Sequence, residues 1–240
     1  EVQNDNYVIC MEDFGQKRFD KILEDYDIYQ ILKLAVDNLI IIHNSIFKNE
    51  LNNLKTYSFI DLKNEISEFI DSYLPFKKRS NILNKKFYEV WEKTFYSQDF
   101  NFDYFVHRDF EFVNLFYLPN KKGHLKCGII DFQSAFVGFA AWDLFSILEN
   151  PRLNITREYN ENLIEYFYNN SLIKTDYKTF RDQYYILNTA RLTRLLGRWA
   201  KLFNQDGHKK YLNFIDITFS RLNISLKNIN NKKLISIYNN

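Results

Sequence analysis

HRDFEFVN (His107–Asn114) is followed along the chain by CGIIDFQSA (Cys127–Ala135), and the fold prediction rests on this pair of stretches. The first carries an Asp and an Asn on either side of a short loop, and the second carries an Asp directly after an apolar strand. Asp109, Asn114 and Asp131 together form an oxygen-only donor set, which is the kind that Mg²⁺ prefers in proteins. We therefore expect a magnesium site where the two stretches meet.

Phosphoryl transfer needs this combination of groups. In a loose transition state the charge spreads over the oxygens of the transferred group, so a cation held by carboxylate and amide oxygens must neutralise it. A further carboxylate must orient the attacking hydroxyl. We expect Asp109 to be the catalytic residue that orients the hydroxyl, and Asn114 and Asp131 to bind the metal.

The composition predicts one substantial globular domain, or two small ones that share a cleft. The 240 residues are 46% hydrophobic and include 23 Phe and 17 Tyr but 6 Gly and 3 Pro, which favours long helices over tight turns. A net charge of +2 supplies no basic field for nucleic acid, and no apolar stretch is long enough to span a membrane. We expect a cytoplasmic chain with neither a nucleic-acid nor a membrane partner.

The two cysteines, Cys10 and Cys127, stand without a CxxC pair or a Cys/His cluster. This pattern predicts neither a disulfide framework nor a structural zinc site. Both cysteines lie in apolar strands, so we expect small buried packing residues.

Apolar residues recur at helical spacing along most of the chain. The predicted helices cover about 28–46, 62–73 (stopped by Pro75), 87–95, 142–148, 157–168, 175–202 and 208–222. Short apolar runs at 7–11, 104–106, 115–118 and 125–130 predict strands, with a hairpin turn at 119–123. The tail after Ile224 is rich in Asn and Lys, and we expect it to fray.

The spacing His-x-Asp-x-x-x-x-Asn, followed by a strand that ends in Asp-Phe, resembles the catalytic and metal loops of the protein-kinase-like superfamily. Together with WDL (Trp142–Leu144) and LENPR (Leu148–Arg152) it resembles the aminoglycoside phosphotransferase family of small-molecule kinases. Within that family, the sequence of these motifs is similar to that of the bacterial N-acetylmuramate/N-acetylglucosamine kinase branch. The resemblance extends from about Met11 to about Arg221.

The resemblance implies an α+β, mainly α chain that forms the C-terminal lobe of a kinase-like fold and uses ATP and Mg²⁺ to phosphorylate a small molecule. It implies a hinge that contacts the nucleotide, two residues that support the catalytic loop, and two possible substrate contacts. These are Met11, Glu12 and Asp13 for the hinge, His107 and Asp143 for the support, and Arg108 and Glu111 for the substrate.

Gln133 stands where protein kinases have Gly, which makes the match closer to small-molecule kinases than to protein kinases. The chain departs from the family pattern in two places. Glu111 stands where the sugar-kinase branch usually has His. No Gly-rich loop or strand Lys precedes Tyr7, so we expect the N-terminal lobe to be largely missing. The expected divisions are 1–20 for the end of that lobe and the hinge, 21–225 for the helical catalytic and substrate lobe, and 226–240 for a polar tail.

Several alternatives stay open on the residues alone. The acceptor could be choline, ethanolamine or an aminoglycoside rather than an amino sugar, and a negative Glu111 is a small hint towards a cation. A catalytically silent, kinase-shaped binding module is a hypothesis of another class. Arg191, Arg194 and Arg198 share one helix face, which predicts a solvated or carboxylate-paired face first and an anion subsite second.

Overall fold

The structure is a computed structural model that describes residues 2–3, 8–9, 11–46, 48–79 and 84–238. Nine helices account for most of the described residues. They are α1 (Ile28–Ser45), α2 (Phe59–Glu68), α3 (Leu74–Phe76), α4 (Asn84–Ser97), α5 (Trp142–Leu148), α6 (Arg157–Asn170), α7 (Tyr177–Asp206), α8 (Lys210–Asn228) and α9 (Lys232–Ser236). Their apolar faces pack into one core. The mainly helical α+β class is as the sequence predicts.

Six short strands form three antiparallel pairs in the described residues. The strands are β1 (Val2–Gln3), β2 (Val8–Ile9), β3 (Tyr104–Val106), β4 (Leu115–Tyr117), β5 (Cys127–Ile129) and β6 (Phe136–Gly138). β1 pairs with β2, β3 with β6, and β4 with β5. The predicted strand over Tyr7–Met11 corresponds to β2, while Tyr7 and Cys10 lie outside the described residues.

The strand prediction for the middle of the chain needs two corrections. The predicted single β element is two separate hairpin-like pairs, because β3 takes β6 as its partner rather than β4. β6 was not predicted, because its three residues continue an apolar stretch without alternation. In addition, residues 123–126 form a 3-10 turn, so β5 begins at Cys127.

The second predicted helix is a composite of three pieces. α2 begins with a capping box between Ser58 and Asp61, continues through a π-helical turn over Phe69–Tyr73, and ends as α3. Pro75 was predicted to stop this helix but lies inside its last turn, because a proline near the start of a helical turn loses no needed N–H bond. The π-turn packs on Gly197 of α7, where a Cβ atom would overlap the Glu68 backbone.

α7 is the central helix, with 30 residues. One face packs on α8 and another on α2 and its π-turn. Asp176 caps its start by accepting a hydrogen bond from the Thr179 N–H at 3.0 Å, and Gly207 ends it in the left-handed region. Its length lets it connect the π-turn region, α5 and α8.

The expectation of a frayed tail after Ile224 is wrong for the described residues. α8 continues to Asn228, and α9 follows it. Leu234 and Ile237 are buried, and the Tyr238 hydroxyl lies 2.6 Å from that of Thr193. The Asn and Lys residues of this segment lie between these apolar positions and hide their pattern.

Two remaining expectations concern burial and membranes. Cys127 is buried as expected, and burial raises the pKa of its thiol to about 12. Across the described ranges, no helix is both long and apolar enough to cross a bilayer.

Candidate functional site

The loop that follows β3 is held in place by hydrogen bonds to the side chain of Asp143. This carboxylate lies near the start of α5 and is 1% exposed. It accepts hydrogen bonds from the backbone N–H of His107 at 2.7 Å and of Arg108 at 3.0 Å. Burial raises the pKa of Asp143 to about 7 despite these two bonds. Asp143 therefore fixes the loop and has no access to a substrate.

The His107 ring also ties the loop to its neighbours. Its Nε2 lies 3.0 Å from the carbonyl oxygen of Ile130, which links the loop to the end of β5. Burial lowers the pKa of His107, so the ring is neutral at neutral pH and holds the loop through this hydrogen bond rather than through a charge. The geometry suits the supporting role that the sequence predicts.

Asp109 is exposed at the turn of this loop. The preceding residue, Arg108, has a φ of 77°, a left-handed conformation that is uncommon for a non-glycine residue. Such backbone conformations persist where the surroundings impose them, often at functional sites. The two bonds to Asp143 impose this one and leave the Asp109 carboxylate free to meet a ligand.

Asn114 and Asp131 are brought together by the β4–β5 pair. The Asn114 amide nitrogen donates to the carbonyl oxygen of Asp109 at 2.8 Å, so its amide oxygen points away from that bond. The Ile130 N–H donates to the carbonyl oxygen of Asn114 at 3.1 Å, and Asp131 follows directly, exposed and with a φ of 66°. We call Asn114, Asp131 and the turn Phe132–Ser134 the hairpin edge.

The hairpin edge suits a hard cation that also binds phosphate. Its donors are one amide oxygen and one carboxylate, and Mg²⁺ is commonly held by one or two such groups together with phosphate oxygens and water. In the described part of the chain, no group of three His, Cys, Asp or Glu side chains could hold a metal alone. The donor set therefore fits Mg²⁺ delivered with a nucleotide and gives no independent metal site.

The predicted hinge residues lie beside the same hairpin. Met11, Glu12 and Asp13 are all exposed, and Glu12 forms a salt bridge with Lys121 at 2.9 Å. The ring of Phe14 covers Gly128 so closely that a Cβ there would lie 2.7 Å from it. The segment thus crosses β5 just before Asp131, while its contact with a nucleotide stays a prediction.

Two adjoining cavities open on the other side of Asp109. The inner cavity measures about 270 Å³ and is lined by residues from the loop after β3, including Asp109, by residues from α2, α5 and α7, and by Ser134 of the hairpin edge. The outer cavity measures about 490 Å³ and extends along α2 towards Lys55. Glu65, Arg108 and Arg194 line both cavities, so the two are neighbours.

The possible substrate contacts from the sequence both reach the inner cavity. Arg108 lines it with its exposed side chain, and Glu111 lines it as well. Glu111, however, pairs with Arg152 at 2.5 Å, so its charge is already compensated.

The solvated or carboxylate-paired face that the sequence favours describes Arg198, which is exposed beside Glu68, but not Arg191. Arg191 is 3% exposed and lines the inner cavity. Arg194 is half-buried and lines both cavities, and Arg198 lines the outer one, 4.0 Å from Glu68. The face looks into the cavities, because α2 and α5 pack beside it.

Sequence reasoning missed two cavity residues, Tyr57 and Glu65. The Tyr57 hydroxyl donates to the Glu65 carboxylate at 3.1 Å. Desolvation in the cavity wall raises the pKa of Glu65, while Arg194 and Arg108 oppose the rise. No local motif marks these residues. They lie on either side of the start of α2, and only the fold brings Glu65 into the same cavity as Asp109.

A family comparison covers α2, the loop after β3, the hairpin edge and α5, but not the predicted hinge residues and only the first two residues of α7. The sequence profile of the ecdysteroid kinase-like family matches residues 40–178, which is more than half of the chain. This chain belongs to the ecdysteroid kinase-like family. The resemblance to kinase-like proteins that His107–Asn114 and Cys127–Ala135 predict is thereby confirmed.

A curated relative extends the likeness beyond the family match. The chain is 26% identical over 214 residues to a protein of Caulobacter vibrioides named N-acetylmuramate/N-acetylglucosamine kinase. The match covers 85% of this chain and 59% of the relative, so the chain spans less than two thirds of the relative's length. The branch resemblance predicted from the motifs agrees with this match.

Proposed function

We propose that this chain carries the catalytic loop, the metal ligands and the acceptor cavity of an ATP- and Mg²⁺-dependent phosphotransferase that acts on a hydroxyl of a small molecule. The observation that carries the proposal is the placement of Asp109 between two different environments. On one side Asn114 and Asp131 offer oxygen ligands at the hairpin edge, and on the other lies the inner cavity. The kinase names of the family and of the relative support this reading.

The residues would divide the work as follows. Asp109 accepts a hydrogen bond from the acceptor hydroxyl, orients it and removes its proton as the phosphoryl group is transferred. Asn114 and Asp131 hold the cation, and Asp143 and His107 keep the loop in place. Mg²⁺-ATP supplies the phosphoryl group and the positive charge that balances it. Met11, Glu12 and Asp13 are proposed to border the adenine, within residues 1–20, and residues 21–225 are proposed as the catalytic and substrate lobe. Buried Leu234 and Ile237 join the described part of 226–240 to that lobe.

We propose an amino sugar as the acceptor, in cytoplasmic recycling of cell-wall sugars. The support is the relative's name and the make-up of the cavities, where Tyr57, Phe136 and Trp142 provide aromatic surface beside polar side chains. The hint that Glu111 gave towards a cationic acceptor is weakened by its pairing with Arg152.

The test is transfer of labelled γ-phosphate from ATP, using protein expressed from the complete reading frame of the gene. The acceptors are N-acetylmuramate, N-acetylglucosamine, choline and an aminoglycoside. We expect transfer to the acetylated sugars that Asp109→Asn abolishes and Asp25→Asn leaves intact, since Asp25 is an exposed carboxylate outside both cavities. Transfer that survives Asp109→Asn, or protein that binds Mg²⁺-ATP but phosphorylates none of the four, would contradict the proposal.

A further inference from the structure

Arg191 is a buried cation with an unused hydrogen-bonding group. It is 3% exposed, and its Nη2 donates to the carbonyl oxygen of Ser146 at 3.0 Å. Its Nη1 has no hydrogen-bond partner among the described residues. Burial lowers the pKa of Arg191 to about 10, so the group still carries its charge at neutral pH. A buried charge without a partner is unfavourable, and natural proteins rarely leave one.

The carboxylates around Arg191 are engaged elsewhere. Glu111 pairs with Arg152 at 2.5 Å, and Glu65 accepts from Tyr57. Asp143 accepts the two backbone N–H groups of the catalytic loop. Among the described residues, no salt bridge within 4.0 Å involves Arg191 or Arg194. At longer range Glu111 attracts Arg191, and Glu65 attracts Arg194.

The Arg191 side chain borders the acceptor side of the site. Arg191 and Asp109 line the same inner cavity, whereas neither Asn114 nor Asp131 lines it in the described part of the chain. Arg194 follows one turn later on α7 and lines the same cavity, so the two guanidinium groups share one helix face. A ligand that presents a hydroxyl to Asp109 would therefore have its far end near these two arginines.

The charge of the cavity selects the kind of anion. Asp109 and Glu65 also line it, and they repel a dianionic phosphate more strongly than a singly charged carboxylate. A carboxylate carries one charge, and its two oxygens match the planar fork of a guanidinium group.

We infer that Arg191 and Arg194 form a subsite for a carboxylate carried by the acceptor, so that the acceptor is an acidic compound rather than a neutral one. This inference rests on the proposed function for the role of Asp109. It assigns Arg191 as a specificity-determining residue: the acid anchors the acceptor at the α7 end of the inner cavity, and the hydroxyl is thereby directed to Asp109.

The experiment compares acceptors that differ at the acid. N-Acetylmuramate carries a carboxylate on a lactyl ether that N-acetylglucosamine lacks, and its carboxamide keeps the shape without the charge. We measure kcat/KM for all three with protein from the complete reading frame, as wild type, Arg191→Gln, Arg191→Lys and Arg181→Gln. Arg181 lies on the same helix outside both cavities and is the matched control.

We expect the wild type to prefer the acid over its carboxamide by about tenfold or more. Arg191→Gln should remove this preference by lowering kcat/KM for the acid while changing that for the carboxamide less than about threefold. Arg191→Lys should retain part of the preference, because lysine keeps the positive charge but lacks the planar guanidinium group that pairs with both carboxylate oxygens. Arg181→Gln should retain all of it.

Two results would overturn the subsite. One is a wild type that does not distinguish the acid from its carboxamide. The other is an Arg191→Gln variant whose kcat falls equally with both, since the guanidinium would then serve the transferred phosphoryl group. Failure of the proposed function is recognised separately, as an absence of transfer to every acceptor. In that case calorimetric binding of the acid and the carboxamide decides the subsite, with acid-selective binding lost in Arg191→Gln supporting it and equal or absent binding overturning it.

Discussion

The hairpin edge presents its polar groups in short turns beside three-residue strands, with Asn114 just before β4 and Asp131 just after β5. The inner cavity instead takes Glu65, Arg191 and Arg194 from helices of 10 and 30 residues. At the hairpin edge Asp131 is exposed and its backbone is in the left-handed region. In the inner cavity Arg191 is buried in regular helix. Asp109 lies between them.

The difference separates two tasks. A bound cation can pull exposed oxygens into its own geometry, so the hairpin edge needs the right residue types more than rigid support. Selection among small molecules depends on desolvated groups that cannot move away, which only packed elements provide.

Asp109→Asn should reduce kcat by about 10³-fold, because the acceptor hydroxyl loses its proton acceptor. The KM for ATP should change less than about twofold, since neither metal ligand is altered. Steady-state kinetics with the preferred acceptor measures both. A comparable loss in Asp25→Asn, which removes the same charge at an exposed site, would show that the effect is not specific to the loop.

The sequence predicts the hairpin edge better than the cavity because the edge is local. His107–Asn114 and Cys127–Asp131 are joined by a single hairpin, and their spacing already brings the oxygens together. The helix α5 is also predicted with its observed bounds, since Trp142 to Leu148 is apolar except for Asp143 and Ser146.

The cavity could not be predicted because its residues meet only after packing. Glu65 and Arg194 lie far apart in the sequence, and neither belongs to a motif. Helical periodicity placed Arg191 on one face with Arg194 but could not say what that face meets. α9 was missed for a related reason, because Leu234 and Ile237 are too few to show a period among Asn and Lys residues.

Asp143→Asn should change how stability depends on pH. Burial raises the pKa of Asp143 from 3.8 to about 7, so the neutral carboxyl is favoured in the folded state. Its contribution is complete below about pH 4 and is lost as the pH rises towards 7, by an amount on the order of 4 kcal/mol for three pK units. Asparagine has no such charge, so the difference in unfolding free energy between wild type and variant should move in the variant's favour over this range.

Urea unfolding at intervals from about pH 4 to about pH 7 measures this difference. An offset that does not depend on pH is expected as well, because an amide offers one oxygen for the two N–H groups of His107 and Arg108. Parallel pH profiles would mean that Asp143 stays charged in the folded protein and that the catalytic loop rests on an anion.

Asp131→Asn should raise the Mg²⁺ concentration needed for half-maximal activity by about 10- to 100-fold, because an amide oxygen is a weaker ligand than a carboxylate. The acceptor KM at saturating Mg²⁺ and ATP should change less than about threefold, since Asp131 is not among the described residues that line the cavities. A matching rise in the acceptor KM would break the separation between edge and cavity.

A pair of glycine substitutions tests the difference in rigidity directly. At Gly197 a Cβ would overlap the backbone of Glu68, so α2 and α7 must separate, at a cost of about 2–3 kcal/mol in unfolding free energy. At Gly128 the Cβ would meet the ring of Phe14 at 2.7 Å. That ring belongs to a half-buried side chain that can turn aside, so we expect less than about 1 kcal/mol.

The kinetic effects of the pair should also divide by region. Gly197→Ala moves the α2 wall that carries Glu65, so the acceptor KM should rise several-fold with little change in the KM for ATP. Gly128→Ala displaces the segment that leads into Met11, Glu12 and Asp13, so the KM for ATP should rise slightly and the acceptor KM should not. If both variants raise both constants together, the hairpin edge and the inner cavity move as one body, and the acceptor is then selected by the whole site rather than by the helices alone.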